Sequence, residues 1–572
     1  VISDSTVFSV RRAVLVCASL WSALALRAQP HIQGRSYGRS MVIAQQGIVA
    51  TSQVLASAAG AEILARGGSA VDAAIAANAV LAVMEPNMDG IGGDLFVLYW
   101  DAKSGKLTGL NASGPAPRAL TPDFVRRAGF TAMPTEGIHS VTVPGAVDGW
   151  SKIHKRFGKL PWRDLFQAAI AYAERGFPVP EVIHEAWSDP LPLKKIRADP
   201  ESVRVFLPAG RAPDVGELFR NPDLGRALRL IAEQGRDAFY KGEIAAAILK
   251  TSQKLGGAMT AQDLAQFSSE WVEPISTDYR GWRVSELPPN SQGMAALEML
   301  NLMETAPAAV GGPFGPDEIH RRIESMKLAY ADLDKYDADP RFAQIPLNVL
   351  LSKEYASKRA ALINPYEANC KATAGRAVKG DTTYLTVVDR DGNIASWIQS
   401  IADNFGSGIT VERMGFVLQN RGWGFTLDPQ SPNLLAGGKR PFHTIIPAFM
   451  EHEDQHIGFG IMGGANQPLA HAQFVSNIVD YGMNLQAALE APRFFKKTAA
   501  GCDVSIEGRV PLDALRQLSQ RGHELRIRRN YTMEMGRGQA VLHNSKTKIN
   551  YAASDPRADG AAIPEPLAAG HN

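Results

Sequence analysis

Two adjacent threonines, Thr382 and Thr383, head the run Asp381-Thr382-Thr383-Tyr384-Leu385-Thr386-Val387-Val388-Asp389-Arg390-Asp391-Gly392-Asn393 and are the residues whose placement suggests chemistry. Tyr384 to Val388 is β-branched and aromatic, and Asp391-Gly392 is a dipeptide suited to a two-residue hairpin turn. A regular hairpin closed on that turn sets Thr382 across from Ile401 and Thr383 across from Ser400. A third hydroxyl then returns to the first two. Taken alone, the same residues also fit an ordinary Thr-rich core strand.

Other segments narrow the choice. Gly67-Gly68-Ser69-Ala70-Val71-Asp72-Ala73-Ala74 leads into an apolar helix, followed by Glu85-Pro86 and Gly90-Ile91-Gly92-Gly93-Asp94-Leu95-Phe96. Further on stand Val143-Pro144-Gly145-Ala146-Val147, Asp278-Tyr279-Arg280-Gly281, Glu324-Ser325-Met326-Lys327-Leu328-Ala329-Tyr330-Ala331-Asp332, Lys439-Arg440-Pro441, Gly463-Gly464 and Ala491-Pro492-Arg493-Phe494. In this order, from about residue 46 to residue 562, the chain resembles the γ-glutamyltranspeptidase (glutathione hydrolase) family of N-terminal nucleophile hydrolases. The resemblance implies self-cleavage between Asp381 and Thr382, leaving a large piece 29–381 and a small catalytic piece 382–572. The physical logic agrees with it. An internal Thr is a poor nucleophile, whereas an N-terminal one carries its own base, an α-amine of pKa about 7.7 to 8.0 against about 10.4 for Lys.

By the same resemblance, Ser400 orients the Thr382 amine. Gly463 and Gly464 form the oxyanion segment, where glycine N–H groups meet a developing negative oxygen without steric hindrance. A tight turn that only redirects the chain is the other reading of those glycines. His443 and Thr444 stand where the family usually has two serines that hold the acyl group. Recognition of a γ-glutamyl group, with its α-carboxylate and α-ammonium, calls for a cation and a carboxylate, and here the chain departs from the family. Asn111 occupies the place of an Arg, Gly424 the place of the acid, and Ala402 the place of an Asn. Asn420 and Arg421 lie in the same block; Arg421 either replaces the lost cation or serves structure. Thr426 to Gly438 is short where many members carry a longer lid, which favours hydrolysis over transfer.

The elements that must position these groups read as helices at 52–84, 148–175, 222–252, 317–334 and 348–362, and as strands near 92–100, 106–111, 383–401, 409–419, 444–450 and 456–462. Strands on both sides of residue 381 fit an α+β fold, a four-layer αββα sandwich shared by the two pieces, as the resemblance implies. Residues 363–381 lack periodicity and read as a linker, mobile once released.

Composition adds exclusions. The 572 residues are 45% hydrophobic and 21% charged, and 60 basic against 58 acidic side chains leave a net charge of +2, with no footprint for nucleic acid. Arg11-Arg12 followed by the apolar run Ala13–Leu26 reads as a signal peptide over 1–28, which implies a periplasmic or secreted protein without stable membrane insertion. Cys370 and Cys502 flank the expected cut, and their spacing decides nothing about pairing. His452-Glu453-Asp454-Gln455-His456 matches a zinc-protease pattern but sits between apolar strands as a turn. Gly458-Phe459-Gly460-Ile461-Met462-Gly463 matches a dinucleotide fingerprint, yet Pro468 to Asp480 reads as a helix with no second strand to follow.

The resulting expectation is an exported, self-processing Thr hydrolase or transferase that cleaves γ-glutamyl amides such as glutathione. Water or an amine is the acceptor, no metal or cofactor is required, and the two fragments form a heterodimer. An acylase of the same fold acting on glutaryl-like amides is the first alternative. A non-catalytic binding protein on this fold is the second.

Overall fold

The computed structural model describes residues 37–371 and 382–567. The expected leader 1–28 and the scissile residue Asp381 lie outside the described residues. From Arg39 onward the described residues form one body.

Alternation along the central hairpin sets the layers. Leu385 and Val387 face one core together with Ala395 and Trp397, whereas Tyr384 and Val388 face another with Ile394 and Ile398. One antiparallel sheet runs β19 (Ala561–Pro564), β2 (Ile48–Thr51), β10 (Thr383–Val388), β11 (Ile394–Ser400), β3 (Asp94–Asp101), β4 (Lys106–Ala112), β7 (Glu270–Val272). The other runs β1 (Val42–Ala44), β18 (Ile549–Ser554), β17 (Arg537–Asn544), β13 (Gln455–Met462), β12 (Ala448–His452), β9 (Trp282–Glu286), β8 (Ile275–Tyr279). Two small sheets pair β5 (Phe177–Pro178) with β6 (Leu218–Phe219), and β14 (Phe494–Phe495), β15 (Asp503–Glu507) and β16 (Glu524–Arg528).

The large sheets pack face to face through Phe96, Leu98, Tyr384 and Ile398 on one side and Phe449, Met462, Val541 and Ala552 on the other. Gly460 makes this close approach possible, because a Cβ there would lie 2.4 Å from the Tyr384 ring. Outside the first sheet lie helices Val54–Ala65, Ala70–Met84 and Ala146–Phe157; outside the second lie Gly293–Glu304, Pro316–Tyr336 and Gln467–Val479. The fold is thus the α+β, four-layer αββα sandwich expected.

Several elements differ from the sequence reading. The helix expected over 52–84 breaks at Gly67-Gly68 and restarts at Ser69, whose side chain accepts from Asp72 N–H in a capping box. Gly158 and Pro161 break 148–175 in the same way, between helices Ala146–Phe157 and Gln167–Arg175. No strand forms over 409–419; Val411 N–H bonds Phe416 O in a tight turn with positive φ at Arg413 and Gly415, leaving one isolated bridge between Thr410 and Val417.

The central hairpin is closed by a three-residue loop rather than the expected two. Asp389 N–H donates to Asn393 O at 3.0 Å, Gly392 takes φ +84°, and the Asp389 carboxylate accepts from the N–H groups of Asp391 and Asn393. The register therefore shifts by one, pairing Thr383 with Gln399 rather than Ser400. Continued by one residue, it sets Thr382 level with Ser400 rather than Ile401.

His452 to His456 is the β12–β13 hairpin turn, as expected, with His452 opposite Gln455. Cys370 and Cys502 are joined by a disulfide, with Cα atoms 5.0 Å apart. The described part of the expected 363–381 linker, through Lys371, is therefore anchored.

Candidate active site

Thr382 enters β10 from its N-terminal end and is fully buried, as is Ser400 at the end of β11. By strand alternation both lie on the face turned toward the second sheet. Their neighbours fix the strand ends. Thr383 Oγ1 donates to Glu85 Oε2 at 2.6 Å, tying the head of β10 to the residue that follows helix Ala70–Met84. Burial pushes the Glu85 carboxyl above its ordinary range, partly offset by Arg537 and by the Thr383 hydroxyl. At the other strand, Ser400 Oγ accepts Ala402 N–H at 2.8 Å, and Ala402 takes φ +82°, a left-handed conformation that costs a non-glycine residue energy.

Gly463 and Gly464 follow β13 with φ of +148° and +59° and lead into helix Gln467–Val479. That helix end supplies positive backbone potential to the turn. Gln292 clamps the turn to the facing segment, because its Nε2 donates both to Gly464 O at 2.8 Å and to Thr444 O. Tyr330 OH donates to Ala465 O, and Asn466 Nδ2 donates to Met535 O at 3.1 Å. The turn is held on three sides, which is what preorganised N–H donors require.

Arg421 opens a short 3₁₀ turn, Arg421–Gly424, and is fully buried. Its Nη1 donates to Thr444 Oγ1 at 2.9 Å, while Nε and Nη2 have no hydrogen-bond partner among the described residues. Burial pushes its pKa down to about 10 against the pull of Asp94 and Asp403, so it remains a cation at neutral pH. Two such donors on a buried guanidinium are costly unless something accepts from them.

The neighbouring groups are occupied. Asn420 Oδ1 accepts Asp403 N–H and its Nδ2 donates to Thr135 O, so its amide braces the turn after Ser400. Asn111 Oδ1 accepts from Ser113 N–H and Oγ, and its Nδ2 donates to Asn290 Oδ1. His443 Nε2 donates to Asp94 Oδ2 at 2.8 Å, and Asn290 Nδ2 lies 3.3 Å from His443 Nδ1. Burial outweighs the Asp94 carboxylate and lowers the His443 pKa below its ordinary value. Gly424 has no room for an acid, since a Cβ there would meet Phe442 O at 2.6 Å.

Contacts thus link Arg421 to Thr444, to Gln292 and to Gly464, while Asn111 and His443 join a second network through Asn290. Gln292 and Asn290 carry no local signal in the sequence that marks them for this role. Asp94 and Glu85 stood inside recognisable blocks without an assigned role. Within the short segment Thr426–Gly438, Leu435 N–H donates to Thr426 O and Leu434 N–H to Ser431 O, and Lys439 Nζ, just beyond it, donates to Leu434 O. Beside it a groove of about 640 Å³ is lined by Arg126, Met133, Thr135, Trp423, Phe425 and Leu427 among others. The zinc-like pentad cannot converge on a metal, because His452 stacks on Trp282 and His456 on Trp100.

Comparison with known proteins gives the same picture. The chain is 36% identical to the glutathione hydrolase-like YwrD proenzyme of Bacillus subtilis, over 91% of this chain and 99% of that one. It is 32% identical to the oxamate amidohydrolase proenzyme of Klebsiella pneumoniae, over 91% and 98%. The solved cephalosporin acylase from Bacillus halodurans superposes with a TM-score of 0.86 at 40% identity, covering 94% of this chain and 99% of that one. Residues 56–565 match the family described as Gamma-glutamyltranspeptidase, and the chain belongs to that family of N-terminal nucleophile hydrolases.

Proposed function

We propose that the protein is an exported, self-cleaving Thr amide hydrolase whose preferred acyl group carries a terminal carboxylate without an α-ammonium, as glutaryl amides do. The observation that carries this reading is Arg421, a buried cation with two donors, Nε and Nη2, that have no partner among the described residues. A substrate carboxylate is the acceptor such a fork fits. At the position where the family carries the acid for the ammonium, Gly424 has no space for a carboxylate side chain, and Asn111, in the place of the family's Arg, is committed to Ser113 and Asn290, which leaves Arg421 as the cation for a carboxylate.

In this reading Thr382 Oγ first attacks the carbonyl of Asp381, and water resolves the resulting ester to free the Thr382 amine. That amine then takes the Oγ proton as Thr382 attacks the substrate amide. Ser400 orients the amine, and the N–H groups of Gly463 and Gly464 receive the oxyanion. The amine product leaves with the proton, and water hydrolyses the acyl-Thr ester. Asn420 acts by bracing the turn after Ser400, and Thr444 by holding Arg421.

A disulfide between Cys370 and Cys502 fits export to an oxidising compartment. Among the described residues no helix is long and apolar enough to cross a membrane. The glutathione hydrolase-like relative favours a second reading, in which γ-glutamyl amides are the true substrates. Initial rates on glutaryl and γ-glutamyl p-nitroanilides decide between them. The expected kcat/KM ratio favours glutaryl by about tenfold or more. An equal or reversed ratio would return the γ-glutamyl reading.

A further inference from the structure

We infer that Cys370 and Cys502 covalently join the two fragments that self-cleavage produces, so that the mature protein is one disulfide-linked molecule. The inference rests on the cut between Asp381 and Thr382 proposed above. Cys370 lies before that bond and Cys502 after it, and the two are bonded with Cα atoms 5.0 Å apart. Sulfur joins what hydrolysis separates.

The surroundings show an anchoring site rather than a chance pairing. After helix Lys353–Ala360 the first fragment forms no further helix or strand among its described residues, and Asn364–Glu367 and Asn369–Lys371 are exposed. A chain end of this kind frays unless it is tied down. Here it is tied at four points. His320 Nε2 donates to Asn364 O at 2.8 Å, Ala368 N–H donates to Arg521 O at 2.7 Å, Lys327 Nζ donates to Asn369 O at 3.0 Å, and the disulfide holds Cys370. On the other side, Cys502 is 3% exposed at the start of β15, and its carbonyl accepts Glu524 N–H at 2.8 Å at the start of β16. One partner is fixed in a sheet, and the other is delivered to it.

Beneath the link, His320, Glu324 and His523 bring their ligand atoms within 4.8 Å of one another, a set that suggests a cation. The cluster is already closed by its own bonds. His320 Nδ1 accepts from His523 Nε2 at 2.8 Å, and Glu324 Oε1 accepts from the Lys327 ammonium at 2.7 Å. A second positive charge would sit against Lys327. The His320–His523 bond instead crosses between the two fragments beside the disulfide and reinforces it.

Forming the link takes one proton and one electron from each thiol. Both electrons pass to the disulfide of a thiol-oxidising protein in the exporting compartment, which is reduced to its dithiol. Once the bond is made, separation of the denatured fragments requires a reductant.

Purified protein run on denaturing gels with and without dithiothreitol tests this. The expected result is one band near full length without reductant and two fragments with it, together with a cross-linked tryptic peptide pair spanning 360–371 and 498–509. Cys370→Ser should give two fragments in both lanes while keeping activity. Two fragments from wild type without reductant would overturn the link. A single chain in the reduced lane would refute the cut instead, and with it the joining of fragments. The peptide map would then report the pairing by itself.

Discussion

The two halves of the candidate site are built differently. The segment of Thr382, Ser400, Gly463 and Gly464 is placed first by backbone: β10 and β11 set the two hydroxyl residues level, and β13 delivers the glycine turn to a helix end, where Gln292 and Tyr330 clamp it. The segment of Asn111, Arg421, His443 and Thr444 is positioned by side chains. Asn290, Asp94 and Gln292 reach it from β3 and from the loop before helix Gly293–Glu304. A backbone-set arrangement survives large changes of side chain, whereas a side-chain network changes with each substitution. The family's chemistry is therefore expected to persist in the first half and its specificity to drift in the second.

The largest effect belongs to the backbone-set half. Thr382→Ala should leave a single chain of 61.7 kDa, less any leader, even after reduction, whereas reduced wild type should yield a fragment of about 21 kDa beginning Thr-Thr-Tyr-Leu. Amide hydrolysis should fall by about 10³-fold or more, because nucleophile and base are lost together. Intact mass, N-terminal sequencing and rate measurement check this. A cut and active Thr382→Ala would place the nucleophile elsewhere and dissolve the distinction between the halves.

Next in size is Arg421→Met, which removes the cation but keeps the length of the side chain. For a glutaryl amide, kcat/KM should drop about 10- to 100-fold, in line with hydrogen bonds to a charged group worth about 1.5–3 kcal/mol. For an uncharged acyl amide of similar length the loss should be slight, and self-cleavage should proceed. Equal losses on both substrates would show that Arg421 supports Thr444 and the turn rather than reading a carboxylate.

How much of this was legible follows the same division. The hairpin of Thr382 and the glycine turn were visible because β-branched runs and turn dipeptides are local signals. Even so, the register was misread by one residue. Asp389 closes the loop through its own carboxylate, a bond that the Asp391-Gly392 dipeptide does not announce. The strand expected over 409–419 failed because its apolar residues pack inward from a turn, so hydrophobicity without alternation misled. Gln292 and Asn290 stayed hidden because their partners, Thr444, Gly464 and Asn111, lie far away in sequence. The pairing of Cys370 with Cys502 was undecidable for the same reason, at a separation of 132 residues.

The smallest expected effect tests whether the second network is held by neutral hydrogen bonds or by an ion pair. His443 and Asp94 are both fully buried and 2.8 Å apart, a geometry compatible with either. Burial dominates and lowers the His443 pKa below its ordinary 6.5, so between that value and the folded one the unfolded chain binds the extra proton. The stability contributed by His443 is therefore fully present above pH 6.5 and is lost as the pH falls from there toward the folded value. His443→Gln, which can still donate to Asp94, removes this titration. The stability of wild type minus His443→Gln should be flat above about pH 7 and shrink on acidification by at most about 1.4 kcal/mol per pH unit. Urea unfolding of both proteins across pH 5 to 8 measures it. A difference that grows as the pH falls would mean an imidazolium paired with Asp94, and the acyl pocket would then hold a second cation beside Arg421.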